Sequence, residues 1–225
     1  MENPWLQISA SDYEGHMCHK NVAQQQFLTT IFKASLKKYD SRSLALLGCA
    51  TGNGLEYATY NAVRRVTAID INPEYLEILR QRYEGYVPGL EIINADLETY
   101  IMEDQAYSLI LAGLIFEYVD PRKLLSNIAR GLCPGGVMVS ILQMPVEDSK
   151  KISETPYKSL NKLNSIMKLI SPGSFKLMAN SAGLQEIEET TVRLQPGKPF
   201  YIGAYALKEE LKNRKKNRMI CSIRK

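Results

Sequence analysis

"LLGCATGNGLE", residues 46–56, is the stretch whose reading decides the fold. It continues an apolar run, "LALLGC" (44–49), that reads as a strand, and it leads into "LEYATYNAV", which reads as a helix. A glycine-rich turn between a strand and a helix is where doubly wound sheets bind nucleotides, because small residues admit a ligand to the backbone and the helix N-terminus offers free N–H groups. The spacing is Gly48, Ala50, Gly52, Gly54. Counted from Gly48, the sixth position of a dinucleotide fingerprint is Asn53, which argues against NAD, and no phosphate-loop pattern with its Gly-Lys-Ser/Thr ending is present. Taken alone, a tight strand-to-helix turn explains the loop equally well.

Outward from the loop, apolar strands and helices alternate. "RVTAIDI" (65–71) reads as the second strand and "LEIINAD" (90–96) as the third, with "PEYLEILRQRYE" between them as a helix opened by Pro73. "YSLILAGL" (107–114) reads as the fourth strand and "VMVSILQM" (137–144) as the fifth, separated by the helix "DPRKLLSNIARGL" (120–132), which "CPGG" stops. "LQEIEETTVRL" and "PFYIGAYAL", joined by "QPGK", read as two final strands. Before the loop, residues 1–20 read as irregular, and a helix is expected from Asn21 as N-cap through Tyr39. Such alternation predicts an α/β fold, a doubly wound seven-stranded, mostly parallel sheet covered on both faces.

Two acids sharpen the loop's meaning. Asp70 ends the second strand, 22 residues after Gly48, where a carboxylate can accept both hydroxyls of a ribose. Asp96 ends the third, where an acid can meet an exocyclic amine. With the loop, they outline an adenosine site at the carboxyl ends of three consecutive strands. At residues 44–145 the chain resembles the class I S-adenosylmethionine-dependent methyltransferases of the small-molecule type. "LLGCATGNG" resembles that family's first motif, "AIDIN" its second, "INADL" its third, and Pro134-Gly135-Gly136 its turn before the fifth strand. The resemblance implies S-adenosylmethionine as cofactor. It implies contacts from Gly48, Cys49, Ala50 and Gly52 in the first motif, Asp70 and Ile71 in the second, Asp96 and Leu97 in the third, and Ala112 and Gly113 at the end of the fourth strand.

Three positions depart from the family pattern: Leu46 stands where an acid is usual, Ala50 replaces the second motif glycine, and Ser108 replaces the acid that often opens the fourth strand. Leu46 cannot accept a hydrogen bond, so the cofactor's ammonium is expected to find its partner elsewhere. The family's segment before the first helix commonly closes the pocket, which makes Tyr13, Glu14, His16 and Met17 candidate lid residues, with Tyr13 and Glu14 able to accept and Gly15 able to bend. Tyr13 is counted among the cofactor contacts. That segment, "YEGHMCHK" (13–20), holds the chain's two histidines, and His16 is a candidate base because a histidine titrates near neutrality. His16, Cys18 and His19 supply at most three ligands and no second cluster offers a fourth, so no metal site is expected. Glu117, just past the fourth strand, is the other candidate catalytic residue, either facing the substrate or lying solvated at a helix start.

The chain is expected to comprise a lid segment and helix (1–40), a cofactor-binding domain (41–207) and a basic tail (208–225). A helical substrate cap at 145–182 would carry Tyr157, Ile166, Met167, Ile170 and Phe175. The tail holds eight of the 28 basic and two of the 24 acidic residues, so the body, with 20 against 22, is slightly acidic. The body therefore gives no reason to expect a nucleic-acid surface; only the tail does. The Pro-Pro aromatic motif of base-amino methyltransferases is absent after the fourth strand, and Cys133-Pro134 reverses the Pro-Cys nucleophile of cytosine-C5 enzymes. The favoured reading is methyl transfer to a small-molecule acceptor. The alternatives are a cofactor-binding protein without catalysis and an RNA methyltransferase guided by the tail. Four scattered cysteines, no leader pattern at the N-terminus and no apolar run of membrane length suggest a cytosolic, membrane-free protein.

Overall fold

The computed structural model describes residues 3–60, 62–147, 150–194 and 198–208. Five strands run parallel: β1 (Ser43–Leu47), β2 (Arg65–Asp70), β3 (Leu90–Asn94), β4 (Tyr107–Gly113) and β5 (Leu132–Gln143). β6 (Leu184–Arg193) and β7 (Pro199–Leu207) close the sheet, β7 antiparallel to both β5 and β6, in the order β3-β2-β1-β4-β5-β7-β6. β1 is buried on both faces, and its alternate side chains feed different cores. Leu44 and Leu46 join Phe27, Phe32 and Leu36 of α2 (Gln24–Lys38), whereas Ala45 and Leu47 join Leu124, Leu125 and Ile128 of α4 (Pro121–Gly131).

Local chemistry sets the helix starts. α3 (Pro73–Tyr83), α4 and α5 (Pro172–Ser181) each open with proline behind a capping side chain, Asn72, Asp120 and Ser171 respectively, that accepts a backbone N–H of the first turn. The Pro134-Gly135-Gly136 sequence, expected to precede the fifth strand, lies inside β5 at an irregularity in its pairing with β4. A Cβ at Gly136 would sit 2.9 Å from the Tyr107 carbonyl oxygen, so only glycine lets the two strands approach there.

Four expectations need correction. The irregular N-terminus is instead a 3-10 turn (Pro4–Gln7) and an α-helix, α1 (Ala10–Cys18), capped by Ser9. α2 begins at Gln24, not at an Asn21 cap, because Val22 and Ala23 both donate to the His19 carbonyl and Ala23 turns left-handed (φ 52°). The helix expected after the glycine loop shortens to a 3-10 segment, Leu55–Tyr60, since β2 begins at Arg65. The side chains of 145–182, expected to form one helical cap, divide between two cores. Tyr157, Ile166 and Met167 pack in a separate cluster with Ile8, Leu160 and Leu163, around the 3-10 segment Lys158–Ser165. Ile170 and Phe175 belong to the sheet core, where Phe175 meets Phe116 at 4.7 Å, so α5 is scaffold. Beyond Lys208, the basic tail lies outside the described residues.

Candidate active site

The loop after β1 is held by the strand beside it. Gly48 and Cys49 both donate to the Ile69 carbonyl, at 2.9 and 3.1 Å. Gly48 turns left-handed (φ 68°), and a Cβ there would lie 2.9 Å from Ile115. Ala50 is also left-handed (φ 46°), a conformation uncommon for a residue with a Cβ. Its N–H donates to Asp70 Oδ2 at 2.8 Å, while Asp70 Oδ1 accepts from Asn72 N–H at 2.9 Å. Asp70 is thus a brace between the loop and the exit of β2. Burial raises its pKa and these N–H groups oppose the rise.

Asp70 also lines a crevice of about 870 Å³, including its open mouth, at the carboxyl ends of β1 to β4. Of the residues expected around the cofactor, Tyr13, Gly48, Ala50, Asp70, Ile71, Asp96, Leu97 and Gly113 meet there. Cys49 and Ala112 line an adjoining, mostly apolar pocket with Leu46, Leu28 and Phe32. Gly52 lines neither: its left-handed turn (φ 86°) packs where a Cβ would be 2.7 Å from the Tyr83 ring. Sequence reading missed Trp5, Gln24 and Tyr75, which also face the crevice. Trp5 Nε1 and the Tyr75 hydroxyl are buried without a hydrogen-bond partner among the described residues. Buried polar atoms are rarely left so, and both belong to residues that line the crevice.

The N-terminal segment roofs this crevice. The Asn72 amide donates to the Trp5 carbonyl at 2.9 Å and the Ile8 carbonyl at 3.4 Å, while Glu74 accepts the Ala10 N–H at 3.0 Å. Tyr13 packs on Tyr75 with ring centres 5.3 Å apart, and Trp5 meets Tyr118 edge-on at 5.0 Å. Two expected roles change. Glu14 does not face the crevice: it pairs with Arg82 and accepts from Thr51 Oγ1 at 2.5 Å, and Arg82 holds its carboxyl below the usual range. Gly15 is no hinge, for it sits inside α1 where a Cβ would be 2.2 Å from the Tyr157 ring. Its missing side chain is the notch that lets helix and cap touch.

A second pocket of about 440 Å³ lies under the cap and shares Trp5, Tyr13, Met17, Gln24, Leu114 and Tyr118 with the crevice. His16 lines it, with Nδ1 2.9 Å from Thr155 Oγ1. Burial and the Lys198 charge bring its pKa down to about 4, so the imidazole is neutral near neutrality. Glu117 is only 1% exposed and lies behind the pocket wall: Oε1 accepts the Gln143 N–H at 2.7 Å, and Oε2 has no partner among the described residues. Burial pushes its carboxyl up to about 7. Neither reading of Glu117 as substrate-facing or solvated describes it. Met17 faces both cavities; Cys18 is exposed, and His19 Nδ1 accepts the Asn21 N–H at 3.2 Å. Among the described residues no three His, Cys, Asp or Glu side chains group as metal ligands.

Residues 46–140 match the model of a family described as a methyltransferase domain. A tRNA U34 carboxymethyltransferase of Campylobacter jejuni is 30% identical over 209 residues, covering 83% of this chain and 66% of that protein. A probable phthiotriol/phenolphthiotriol dimycocerosates methyltransferase 2 of Mycobacterium ulcerans is 28% identical over 134 residues, 58% of this chain and 48% of that one. The chain thus spans between about half and two thirds of the length of these curated relatives. In fold, it superposes on a solved S-adenosylmethionine-dependent methyltransferase from Leishmania major with a TM-score of 0.69 at 16% identity, covering 90% of this chain and 80% of that one. With the loop, the paired strand-end acids and the sheet order now in place, residues 46–140 carry a methyltransferase domain, and the fold is that of solved S-adenosylmethionine-dependent methyltransferases.

Proposed function

We propose that this protein binds S-adenosylmethionine in the crevice at the ends of β1 to β4 and transfers its methyl group to a small-molecule acceptor held in the pocket under the cap. The observation that carries this reading is the adjacency of two cavities with unlike linings that share Tyr13, Trp5 and Tyr118. Asp70 would hold the ribose and Asp96, with Leu97, the adenine. Gly48, Ala50 and Gly113 leave room for the backbone to meet the ligand. The bound cofactor supplies an electrophilic methyl on sulfur. The chain's own work is to align an acceptor and keep water out. The aromatic side chains of Tyr13, Trp5 and Tyr118 serve both ends at the boundary between cavities.

His16 faces the acceptor pocket as a neutral imidazole, and burial with the Lys198 charge lowers its basicity, so it serves there as a hydrogen-bonding group rather than as the base its residue type suggested. Glu117 acts through Gln143 as a positioning residue for the pocket floor. Leu46 leaves the apolar pocket beside Cys49 without a carboxylate, so the cofactor's ammonium would rely on backbone carbonyls. No helix among the described residues is long and apolar enough to cross a membrane, and the described cysteines, Cys18, Cys49 and Cys133, are free thiols, which supports a reducing, cytosolic setting. A second reading, an RNA acceptor, draws on the Campylobacter relative and on the basic tail, which lies outside the described residues save Lys208. Incubation with methyl-labelled cofactor and two acceptor pools, a low-molecular-weight metabolite extract and total tRNA, tests both. Label in the metabolite pool supports the first reading; label confined to tRNA replaces it with the second.

A further inference from the structure

The pocket under the cap holds a charge pattern that an acceptor must answer. Among the described residues that line it are two lysines, Lys151 and Lys198, and no aspartate or glutamate. Lys198 stands just before β7, partly buried, and its Nζ donates to the Lys151 carbonyl at 2.5 Å. Lys151, more exposed, donates from Nζ to the Met167 carbonyl at 2.8 Å. Neither lysine has a carboxylate within ion-pair distance among the described residues, although other lysines here, such as Lys176 and Lys38, do. An ammonium has three N–H donors and each of these shows one bond to a backbone oxygen, so both keep donors for a ligand. A lysine taken partly out of water without an opposite charge is disfavoured.

The other groups that face Lys198 do not supply that charge. His16 is neutral, and the Tyr13 and Tyr118 hydroxyls that share the pocket are held protonated by burial. Glu117 lies behind Gln143, outside the lining. Facing the lysines are Ile152, Leu160, Leu163 and Met167, which form an apolar wall.

Resting on the methyl-transfer reading above, we infer that the acceptor is an amphiphilic small molecule whose anionic end, a carboxylate or a phosphate ester, is held by Lys198 with Lys151, and whose apolar body lies against the cap. Lys198 is the anchor: it is the more buried of the two, and burial brings its pKa down to about 8. Anion affinity should therefore be full below that pH and fall as pH rises through it, because the deprotonated amine offers no charge.

Trp5, the chain's single tryptophan, lines both cavities and gives the readout. The full-length protein is titrated with octanoate, octyl phosphate and octanamide, with and without S-adenosylhomocysteine, while tryptophan fluorescence is followed. Octanoate or octyl phosphate should bind at least about tenfold more tightly than octanamide near neutrality, and their relative affinities identify which anion is preferred. The preference should shrink above about pH 8, vanish in Lys198→Gln and persist in Lys198→Arg. Equal affinity for the three probes, or a preference that survives in Lys198→Gln, overturns the inference. S-adenosylhomocysteine affinity, measured by calorimetry in the same variants, confirms that the variants are folded. If wild-type protein fails to bind S-adenosylhomocysteine, the methyl-transfer reading falls, whereas the ratio among probes alone decides the anion site.

Discussion

The crevice and its roof are built in opposite ways. The crevice is made at the ends of parallel strands, by residues whose positions follow from short contiguous segments: Gly48 and Ala50 after β1, Asp70 at the end of β2, Asp96 after β3. The roof is made of one nine-residue helix, two 3-10 segments and aromatic rings drawn from residues 5, 13, 118 and 157, far apart in the chain. A sheet buried on both faces fixes its strand ends through the whole core, whereas the roof depends on a few side-chain contacts. The crevice should therefore tolerate damage to the roof, and the roof should not survive damage to its few anchors.

Glu117 carries the largest expected effect, because it lies at the seam between the two. Its carboxyl titrates at about 7 in the fold against an ordinary 4.5. The folded state then holds the proton more tightly than the unfolded chain, so stability is lost as pH rises through that interval, by an amount on the order of 3 kcal/mol. His16 works in the other direction, since its lowered pKa makes stability rise with pH between about 4 and 6.5. Comparing Glu117→Gln with wild type cancels the His16 contribution. The variant should gain stability relative to wild type from about pH 5 to about pH 8, read as a widening difference in Tm. A pH-independent difference would remove the buried carboxyl from the account.

Asp70→Ala comes next. It removes the ribose acceptor and orphans the N–H groups of Ala50 and Asn72. Affinity for S-adenosylhomocysteine should fall by about 1.5–3 kcal/mol while the far-UV circular dichroism stays that of a folded α/β protein. Unchanged affinity in a folded variant would move the ligand elsewhere. On the roof, Gly15→Ala drives a methyl group into the Tyr157 ring. Overpacking of this kind costs about 1–3 kcal/mol, and it should appear as faster hydrogen exchange in α1 with β1 to β4 left protected. Exchange that quickens equally in the strands would mean that roof and crevice are one cooperative unit. The smallest effect is expected from Glu14→Gln, which weakens a half-exposed pair with Arg82 by about 0.2–1 kcal/mol and should be visible only at low salt.

The same contrast explains what could be read from the sequence. β1, β2, β4 and β5 announce themselves as apolar runs, and Asp70 at the end of β2 and Asp96 just past β3 stand as the pattern requires. α1 does not announce itself. "ASDYEGHMC" has a mid-helix glycine and no clean apolar stripe, and the helix exists because Ser9 and Glu74 satisfy its first N–H groups and Gly15 fits Tyr157. No local signal reports a notch filled from 142 residues away. Glu117 was legible as a notable acid past β4, but its burial behind Gln143 is a property of the packed chain. Trp5 and Tyr75 were missed for the same reason. A lone tryptophan in an N-terminal segment and a tyrosine in a helix carry no motif, and only their orphaned polar atoms give them away.

Isothermal calorimetry of the wild-type protein with S-adenosylhomocysteine and with NAD, side by side, tests the central claim most directly. The crevice defined by Gly48, Ala50, Asp70 and Asp96 predicts saturable one-to-one binding of S-adenosylhomocysteine and no binding of NAD. Binding of NAD, or no binding of S-adenosylhomocysteine by folded protein, would contradict it.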